Sequence, residues 1–117
     1  MEELQRTFME EYIGAEEQVE KKRYKNATIL FSKALFALCD LIIFLNLKKI
    51  PKNHGERFRI LENHFLEVYS IVNSIFGHYI DAYSKPALKE TCEEIKNGIK
   101  KIIQDNELPE EIKKIIG

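Results

Sequence analysis

The first part of the chain carries apolar side chains at helical spacing. Leu4, Phe8, Tyr12, Ala15 and Val19 recur at steps of three and four residues, and side chains with this spacing lie on one face of an α-helix. Most positions between them are polar, and glutamate is the commonest residue there. The pattern predicts an amphipathic first helix that ends near residue 22.

A second predicted helix, over residues 24–47, is apolar around most of its circumference. Its polar residues Asn26, Lys33 and Asp40 are seven positions apart and therefore follow one face. Such a helix needs cover on nearly every side, which neighbouring helices and a second copy of the chain can supply. Lys33 and Asp40 do not suit a lipid-facing helix, so no membrane association is expected. Asp40 needs a partner, for which Lys33 or another molecule is the candidate.

Turn signals divide the rest of the chain into further helices. Pro51 interrupts helical geometry, and Asn53 followed by Glu56 is typical of a helix start, so a third helix is expected up to about residue 63. A fourth helix is predicted over residues 65–82. Pro86 opens a fifth helix, and the sequence DNELPEEIKKIIG indicates a turn and a short last helix.

The fourth and fifth predicted helices carry long apolar stripes, and no segment alternates at the two-residue period of a strand. The fold class predicted is all-α: an up-and-down helical bundle of about five helices plus a short C-terminal helix, forming one domain over residues 1–117. The expected core positions are Phe65, Val68, Tyr69, Val72, Ile75, Phe76, Tyr79 and Tyr83 in the fourth helix, and Leu88, Cys92, Ile95, Ile99, Ile102 and Ile103 in the fifth.

The composition excludes several broad classes of function. The 117 residues include 18 Lys and Arg against 19 Asp and Glu, so the chain lacks the positive charge that strong non-specific nucleic-acid binding requires. The acidic N-terminal stretch does not resemble a signal peptide. Cys39 and Cys92 are far apart and lack the C-x-x-C spacing of zinc and redox sites. We expect a cytoplasmic protein with buried thiols, no metal and no cofactor.

The most basic stretch, residues 48–64, is the candidate ligand-binding site. Lys52, His54 and Arg57 surround the predicted start of the third helix, where free backbone N–H groups attract anions, and His64 follows Arg57 by two turns on the same face. A guanidinium beside an imidazole can bind phosphate, and the imidazole can act as a general acid. The alternative is an ordinary amphipathic helix in which Arg57 covers aromatic rings and His64 lies at the helix end.

The third histidine, His78, lies beside Ile71 and Ile75 on the fourth predicted helix. This environment favours a packed or subunit-contact residue over a catalytic one. The chain contains no P-loop, dinucleotide-binding, zinc-protease or serine-hydrolase motif. The weak catalytic candidates are Arg57, His64 and His78.

Two long stretches resemble HEPN domains, and together they cover about residues 16–103. They are KKRYKNATILFSKALFALCDLIIFLNLKKIPKNHGERFRILENHF and HYIDAYSKPALKETCEEIKNGIKKI. The likeness rests on the Y-x-N-A opening of the second helix, the long apolar helix, the K-N-H-G-E-R-F-R-I-L-E turn and the Y-x-D-A-Y-S-K passage. The resemblance implies a homodimeric α-bundle connected with nucleotides or RNA. Some members of that family are metal-independent RNases with an R-x(4-6)-H motif, and others are partners of minimal nucleotidyltransferases.

The chain departs from the RNase motif in the fourth predicted helix, which corresponds to the late helix that carries this motif in the RNase members. The stretch VNSIFGH has Val72 where the motif needs arginine, although His78 is present. The literal matches to the spacing, Arg57 or Arg59 to His64, lie on the preceding helix. Without an arginine beside the histidine, the negative charge of the transition state is not stabilised. The sequence therefore predicts a non-catalytic, dimeric HEPN-like binding or accessory module that recognises a nucleotide, RNA or a minimal nucleotidyltransferase partner.

Two alternatives remain open on the sequence alone. The first is a HEPN-type RNase in which Arg57 and His64, or His78 across a dimer axis, act on RNA. The second rests on RYKNATILFSKAL, which also resembles the helix turn of a tetratricopeptide repeat, a scaffold for protein partners. The chain has no second copy of that stretch at a period of about 34 residues, which weakens the repeat interpretation.

Overall fold

Six α-helices joined by short turns make up the computed structural model, which describes residues 2–116. They are α1 (Glu2–Glu20), α2 (Tyr24–Leu47), α3 (His54–His64), α4 (Leu66–Asp81), α5 (Lys89–Asp105) and α6 (Glu110–Ile115). No strand occurs in this range. One cluster of buried apolar side chains receives contributions from all six helices, so the predicted all-α bundle is confirmed.

The turn between α1 and α2 ends the first helix slightly earlier than predicted. Lys22 adopts a left-handed conformation with φ of 58°. Its N–H donates to the carbonyl of Val19, and the N–H of Arg23 donates to the carbonyl of Gln18. These two bonds satisfy carbonyls at the end of the helix, as in a Schellman motif. The chain then reverses, and α2 starts at the predicted residue.

The central element of the bundle is α2. It contacts α1, α3, α4 and α5, and its contact with α1 is the most extensive in the structure. By length and composition α2 is long and apolar enough to cross a membrane, yet 72% of its most apolar 18-residue stretch is buried inside the chain. Cover for α2 therefore comes from the same chain, and the apolar character of α2 does not by itself require a second copy. The homodimer and the cytoplasmic location stay predictions.

The start of α3 follows the predicted capping. The backbone N–H of Glu56 donates to Oδ1 of Asn53 at 2.8 Å, which satisfies one of the free donors of the first turn. Only Phe65 separates the end of α3 from the start of α4. This short connection keeps the two helices in contact along a shared groove.

The predictions around the α4–α5 connection need correction. Pro86 lies three residues before α5 rather than in its first turn, because Leu88 takes an extended conformation and occupies the N-cap. Leu88 therefore lies outside the helix and is 62% exposed instead of sharing the buried face of α5. Tyr83 follows the end of α4 and is 56% exposed, so it is also not a core residue.

Close contact between α4 and α5 depends on Gly98. A Cβ atom at this position would lie 2.7 Å from Cδ1 of Ile75 and 3.0 Å from Cγ2 of Ile71. Gly77, four residues before the end of α4, is different, because a Cβ atom there would meet no atom of the described residues within 4 Å beyond its own helix backbone and chain neighbours. The two glycines thus share a helical environment but differ in the space around them.

We predict opposite effects of alanine at these two glycines. Gly77→Ala should raise the free energy of unfolding by about 1 kcal/mol, because alanine favours the helix and meets no obstacle. Gly98→Ala should lower it by about 1 kcal/mol, because the buried Ile75 and the partly buried Ile71 must move, and this overpacking cost of about 1–3 kcal/mol exceeds the gain in helix propensity. Urea unfolding of both variants tests this. A Gly98→Ala variant as stable as Gly77→Ala would contradict the packing described between α4 and α5.

Candidate functional site

A buried ion pair joins the central helix to α3. Nε of Arg57 donates to Oδ1 of Asp40 at 2.7 Å, and Nη2 donates to Oδ2 at 3.0 Å. Each residue is only 9% exposed. This fork-to-fork arrangement satisfies both carboxylate oxygens of the one acidic residue in α2. The prediction that Lys33 pairs with Asp40 was wrong, because the side chain of Lys33 is exposed.

His54 uses the remaining nitrogen of the same guanidinium. Nη1 of Arg57 lies 2.7 Å from Nδ1 of His54. Arginine has no acceptor, so Nδ1 must accept the hydrogen bond and the imidazole must be neutral at that nitrogen. Burial, and then the charge of Arg57, lowers the pKa of His54 below its usual value. Arg57 also lies over the ring of Phe36, with Cζ 5.3 Å from the ring centroid.

Aromatic rings surround this polar triad. His54 lies 4.8 Å from Phe36 and 5.3 Å from Phe76, measured between ring centroids. Most pairs in the cluster are tilted or edge-to-face, which is the favoured geometry of aromatic side chains. The connected rings are Phe36, His54, Phe58, Tyr69, Phe76, Tyr79 and Tyr83.

The structure separates the four predicted ligand-binding residues. Lys52 is exposed in the turn before α3, and His54 is half-buried at its first position. Arg57 points into the core, whereas His64 is exposed at the end of the helix. Two turns of about 5 Å each separate Arg57 from His64 along the axis. Arg57 and His64 therefore do not form one phosphate-binding pair.

His78 contacts another helix of the same chain. Its Nε2 pairs with Oε2 of Glu94 on α5. Ile71 and Ile75, which share this side of α4, pack against Gly98 of α5. The apolar edge beside His78 thus packs against α5 of the same chain. The sequence allowed either a packed residue or a subunit contact at His78, and these contacts account for it as a packed residue.

Both cysteines are buried thiols. Cys39 and Cys92 are at most 1% exposed. Burial raises the pKa of both thiols, and Cys92 in addition lies 3.4 Å from Oγ1 of Thr28. Thiols with a raised pKa are poor nucleophiles and metal ligands. Within residues 2–116, no group of three or more His, Cys, Asp or Glu side chains could hold a metal ion.

A groove between α3 and α4 contains Tyr69 and Phe76, two of the predicted core positions, together with Phe58 and Arg59. Its volume is about 350 Å³. The ring of Phe58 lies edge-on to Phe76 at 4.9 Å and to Tyr69 at 6.2 Å. Arg59 and Asn73 lie on the same groove, and neither side chain forms a hydrogen bond or an ion pair within residues 2–116. We call this surface the α3–α4 groove; its lining is Gly55, Phe58, Arg59, Glu62, Tyr69, Asn73 and Phe76.

The two arginines of α3 therefore have different roles. All three guanidinium nitrogens of Arg57 are engaged inside the fold, while Arg59 is exposed beside aromatic rings. The sequence contains a signal that one arginine of α3 is needed inside the fold. Asp40 is the one acidic residue of a long apolar helix, so it needs a nearby cation, and Lys33 lies two helical turns away.

Comparison of the chain with protein-family models, with curated proteins and with solved structures finds no match. The HEPN-like resemblance therefore stays a prediction from the sequence.

Removal of one member of the buried ion pair should be much more destabilising than replacement of both. We predict that Asp40→Asn lowers the free energy of unfolding by about 3–5 kcal/mol, because Arg57 keeps a buried charge without its counterion. The double variant Asp40→Leu/Arg57→Leu should recover part of this loss. Urea unfolding of Asp40→Leu, Arg57→Leu and the double variant gives the coupling energy of the pair. Additive losses would contradict the pairing.

His54 should make stability depend on pH. Its pKa is lowered in the folded state, so the unfolded chain binds the proton at a higher pH than the folded chain does. The free energy of unfolding should therefore fall as the pH drops below about 6.5 and level off below the folded pKa. Urea midpoints between pH 5 and 7.5 measure this slope.

The matched variants for this prediction are His54→Asn and His64→Asn. Asparagine at position 54 keeps an acceptor near Arg57 but cannot titrate, so the slope should become shallower. His64 is exposed and forms no hydrogen bond within the described residues, so His64→Asn should keep the slope of the wild type. An unchanged slope in His54→Asn would refute the assignment to His54.

Proposed function

We propose that this chain is a non-catalytic, HEPN-like binding module and that the α3–α4 groove holds a nucleotide. The observation that carries the proposal is the contrast between the two arginines of α3. Arg57 is fully engaged with Asp40 and His54, whereas Arg59 is exposed on the same groove as aromatic rings and has no partner among the described residues. A ligand that combines an aromatic ring with an anionic group matches this combination.

Catalysis by the predicted histidines is not supported by their surroundings. An RNase of the R-x(4-6)-H kind needs an arginine to stabilise the phosphate beside a histidine that transfers a proton. Arg57 is buried in an ion pair, and His64 is two turns away. His78 has Glu94 as its partner, and within residues 2–116 no arginine pairs with it. These contacts support binding rather than RNA cleavage.

The groove offers the contacts that a nucleotide uses. A base can stack on the rings of Phe58, Tyr69 or Phe76, and stacking on aromatic side chains is worth about 1–3 kcal/mol per base. The guanidinium of Arg59 can form two hydrogen bonds to phosphate. The amide of Asn73 can both donate to and accept from the edge of a base. A volume of about 350 Å³ is at the small end for ligand pockets, which favours one nucleotide.

The charge of the groove favours a monophosphate. Glu62 lies on the same groove as Arg59, so the two charges balance and a highly charged triphosphate would be repelled by the carboxylate. A single nucleotide and a nucleotide unit within RNA present the same ring and phosphate. The minimal nucleotidyltransferase partner stays a proposal that rests on the resemblance alone, as does the homodimer.

The tetratricopeptide alternative receives less support. A repeat of that kind places two helices within about 34 residues. Here α2 alone has 24 residues, and α1 has 19. The stretch that resembles the repeat runs without interruption into the central helix of the bundle, where its apolar side chains are covered by the same chain.

We predict weak but specific binding of AMP. Stacking plus one phosphate contact gives a Kd on the order of 0.1–1 mM, measured by isothermal titration calorimetry or by NMR chemical shifts. Arg59→Gln should weaken binding about 10-fold, and Phe58→Leu should do the same because it keeps the apolar volume but removes the ring. Arg6→Gln is the matched control, since Arg6 is an exposed arginine on α1.

Several outcomes would overturn the proposal. They are the absence of binding by AMP, GMP and UMP, equal weakening by Arg6→Gln, and cleavage of a mixed RNA pool by the wild-type chain that His64→Ala or His78→Ala abolishes. Titration with a short single-stranded RNA distinguishes a free nucleotide from a nucleotide unit in RNA. Sedimentation of the same samples reports the oligomeric state.

A further inference from the structure

The outer face of α1 forms a second, larger groove that shares no residue with the α3–α4 groove. Its apolar lining consists of Met9, Ile13 and Gly14 of α1 together with Pro109, which precedes α6. Ile13 is 46% exposed. We call this surface the α1 groove. A large aliphatic side chain this exposed on a groove is available for contact with another molecule.

Negative charge lines the α1 groove. Four glutamates lie on it: Glu2, Glu10, Glu17 and Glu111. The one cation on the groove, Arg6, is already paired with Glu3 at 2.7 Å. Within residues 2–116, neither Glu10 nor Glu17 has a cationic partner within 4 Å. The groove thus combines exposed apolar side chains with two carboxylates, those of Glu10 and Glu17, that have no counterion among the described residues.

Gly14 lies on the α1 groove, and packing among residues 2–116 does not require a glycine there. A Cβ atom there would meet only Cδ1 of Leu30, at the ordinary contact distance of 3.5 Å. The backbone at Gly14 does not have a positive φ, so alanine would fit and would favour the helix. Gly98 differs, because Ile75 occupies the space of its Cβ. Close approach of another molecule to the helix backbone would explain a glycine at this position, which packing inside the chain does not explain.

We propose that the α1 groove docks a cationic amphipathic helix of a partner protein. The groove residues from Glu2 to Glu17 extend over about 22 Å of helix axis, which matches four turns of a second helix. An apolar stripe on that helix would lie on Met9 and Ile13, with Gly14 allowing the two backbones to approach. Lysine or arginine on its flanks would face Glu10 and Glu17.

The charge of the groove argues against other occupants. A second copy of this chain docked symmetrically through α1 would oppose two acidic faces. RNA and anionic lipid surfaces would be repelled for the same reason. A helix that carries positive charge and an apolar stripe is the occupant that satisfies both features of the surface.

A synthetic peptide tests this proposal on the full chain. The probe is a fluorescein-labelled 18-residue peptide with leucine at every third or fourth position and lysine elsewhere, and its control has the same composition with the leucines grouped together. Fluorescence anisotropy at low and high salt gives the affinities. We expect the periodic peptide to bind at least about 10-fold more tightly than the control, and to lose affinity as salt increases.

Variants locate the binding and separate it from general charge attraction. Glu10→Gln/Glu17→Gln and Ile13→Ser should each weaken binding about 10-fold, whereas Glu67→Gln/Glu90→Gln, which removes the same charge from exposed positions elsewhere, should not.

Gly14→Ala should raise the unfolding temperature by about 4 °C and yet weaken binding. Equal binding of the control peptide, equal loss in Glu67→Gln/Glu90→Gln, or full binding by Gly14→Ala would overturn the proposal. None of these results depends on AMP binding.

Discussion

The structure depends on the need of one buried carboxylate for a counterion. Asp40 lies on a helix that is apolar on almost every side and is surrounded by the rest of the chain. An isolated carboxylate in that position would cost several kcal/mol. Arg57 neutralises it with two short hydrogen bonds and thereby fixes α3 against α2. His54 and Phe36 then complete the surroundings of the guanidinium.

This arrangement determines which residues remain available for function. Because Arg57 is used inside the fold, the positive charge on α3 that a ligand can reach is that of Arg59, beside the exposed parts of Phe58 and Phe76. At a separate surface, the α1 groove, carboxylates lie near the exposed Ile13. Within residues 2–116, Gly14 and Gly77 have no neighbour that excludes alanine, and Gly14 lies on the α1 groove.

Local signals predicted most of the fold, and long-range contacts limited what could be predicted of the site. The limits of α2 and the cap at Asn53 follow from residues near in sequence. The partner of Asp40 lies 17 residues away on another helix, and helical periodicity does not determine how two helices rotate against each other. Leu88 was also predicted incorrectly, because its apolar side chain continues the spacing of α5 although its backbone is extended and the helix begins only at Lys89. Lys52 and His54 are near the start of α3 as predicted, but Arg57 points inward.

Direct observation of the Arg57 guanidinium tests the central claim most sharply. In a proton–nitrogen NMR spectrum, the Nε–H of Arg57 should exchange slowly with water at pH 7.5, because it donates to Asp40 at 2.7 Å in a buried site. The Nε–H groups of Arg23 and Arg59, which are exposed, should exchange rapidly, and Asp40→Asn should remove the protection of Arg57. Equal exchange at all the arginines, or loss of the Arg57 signal in the wild-type chain, would contradict the account.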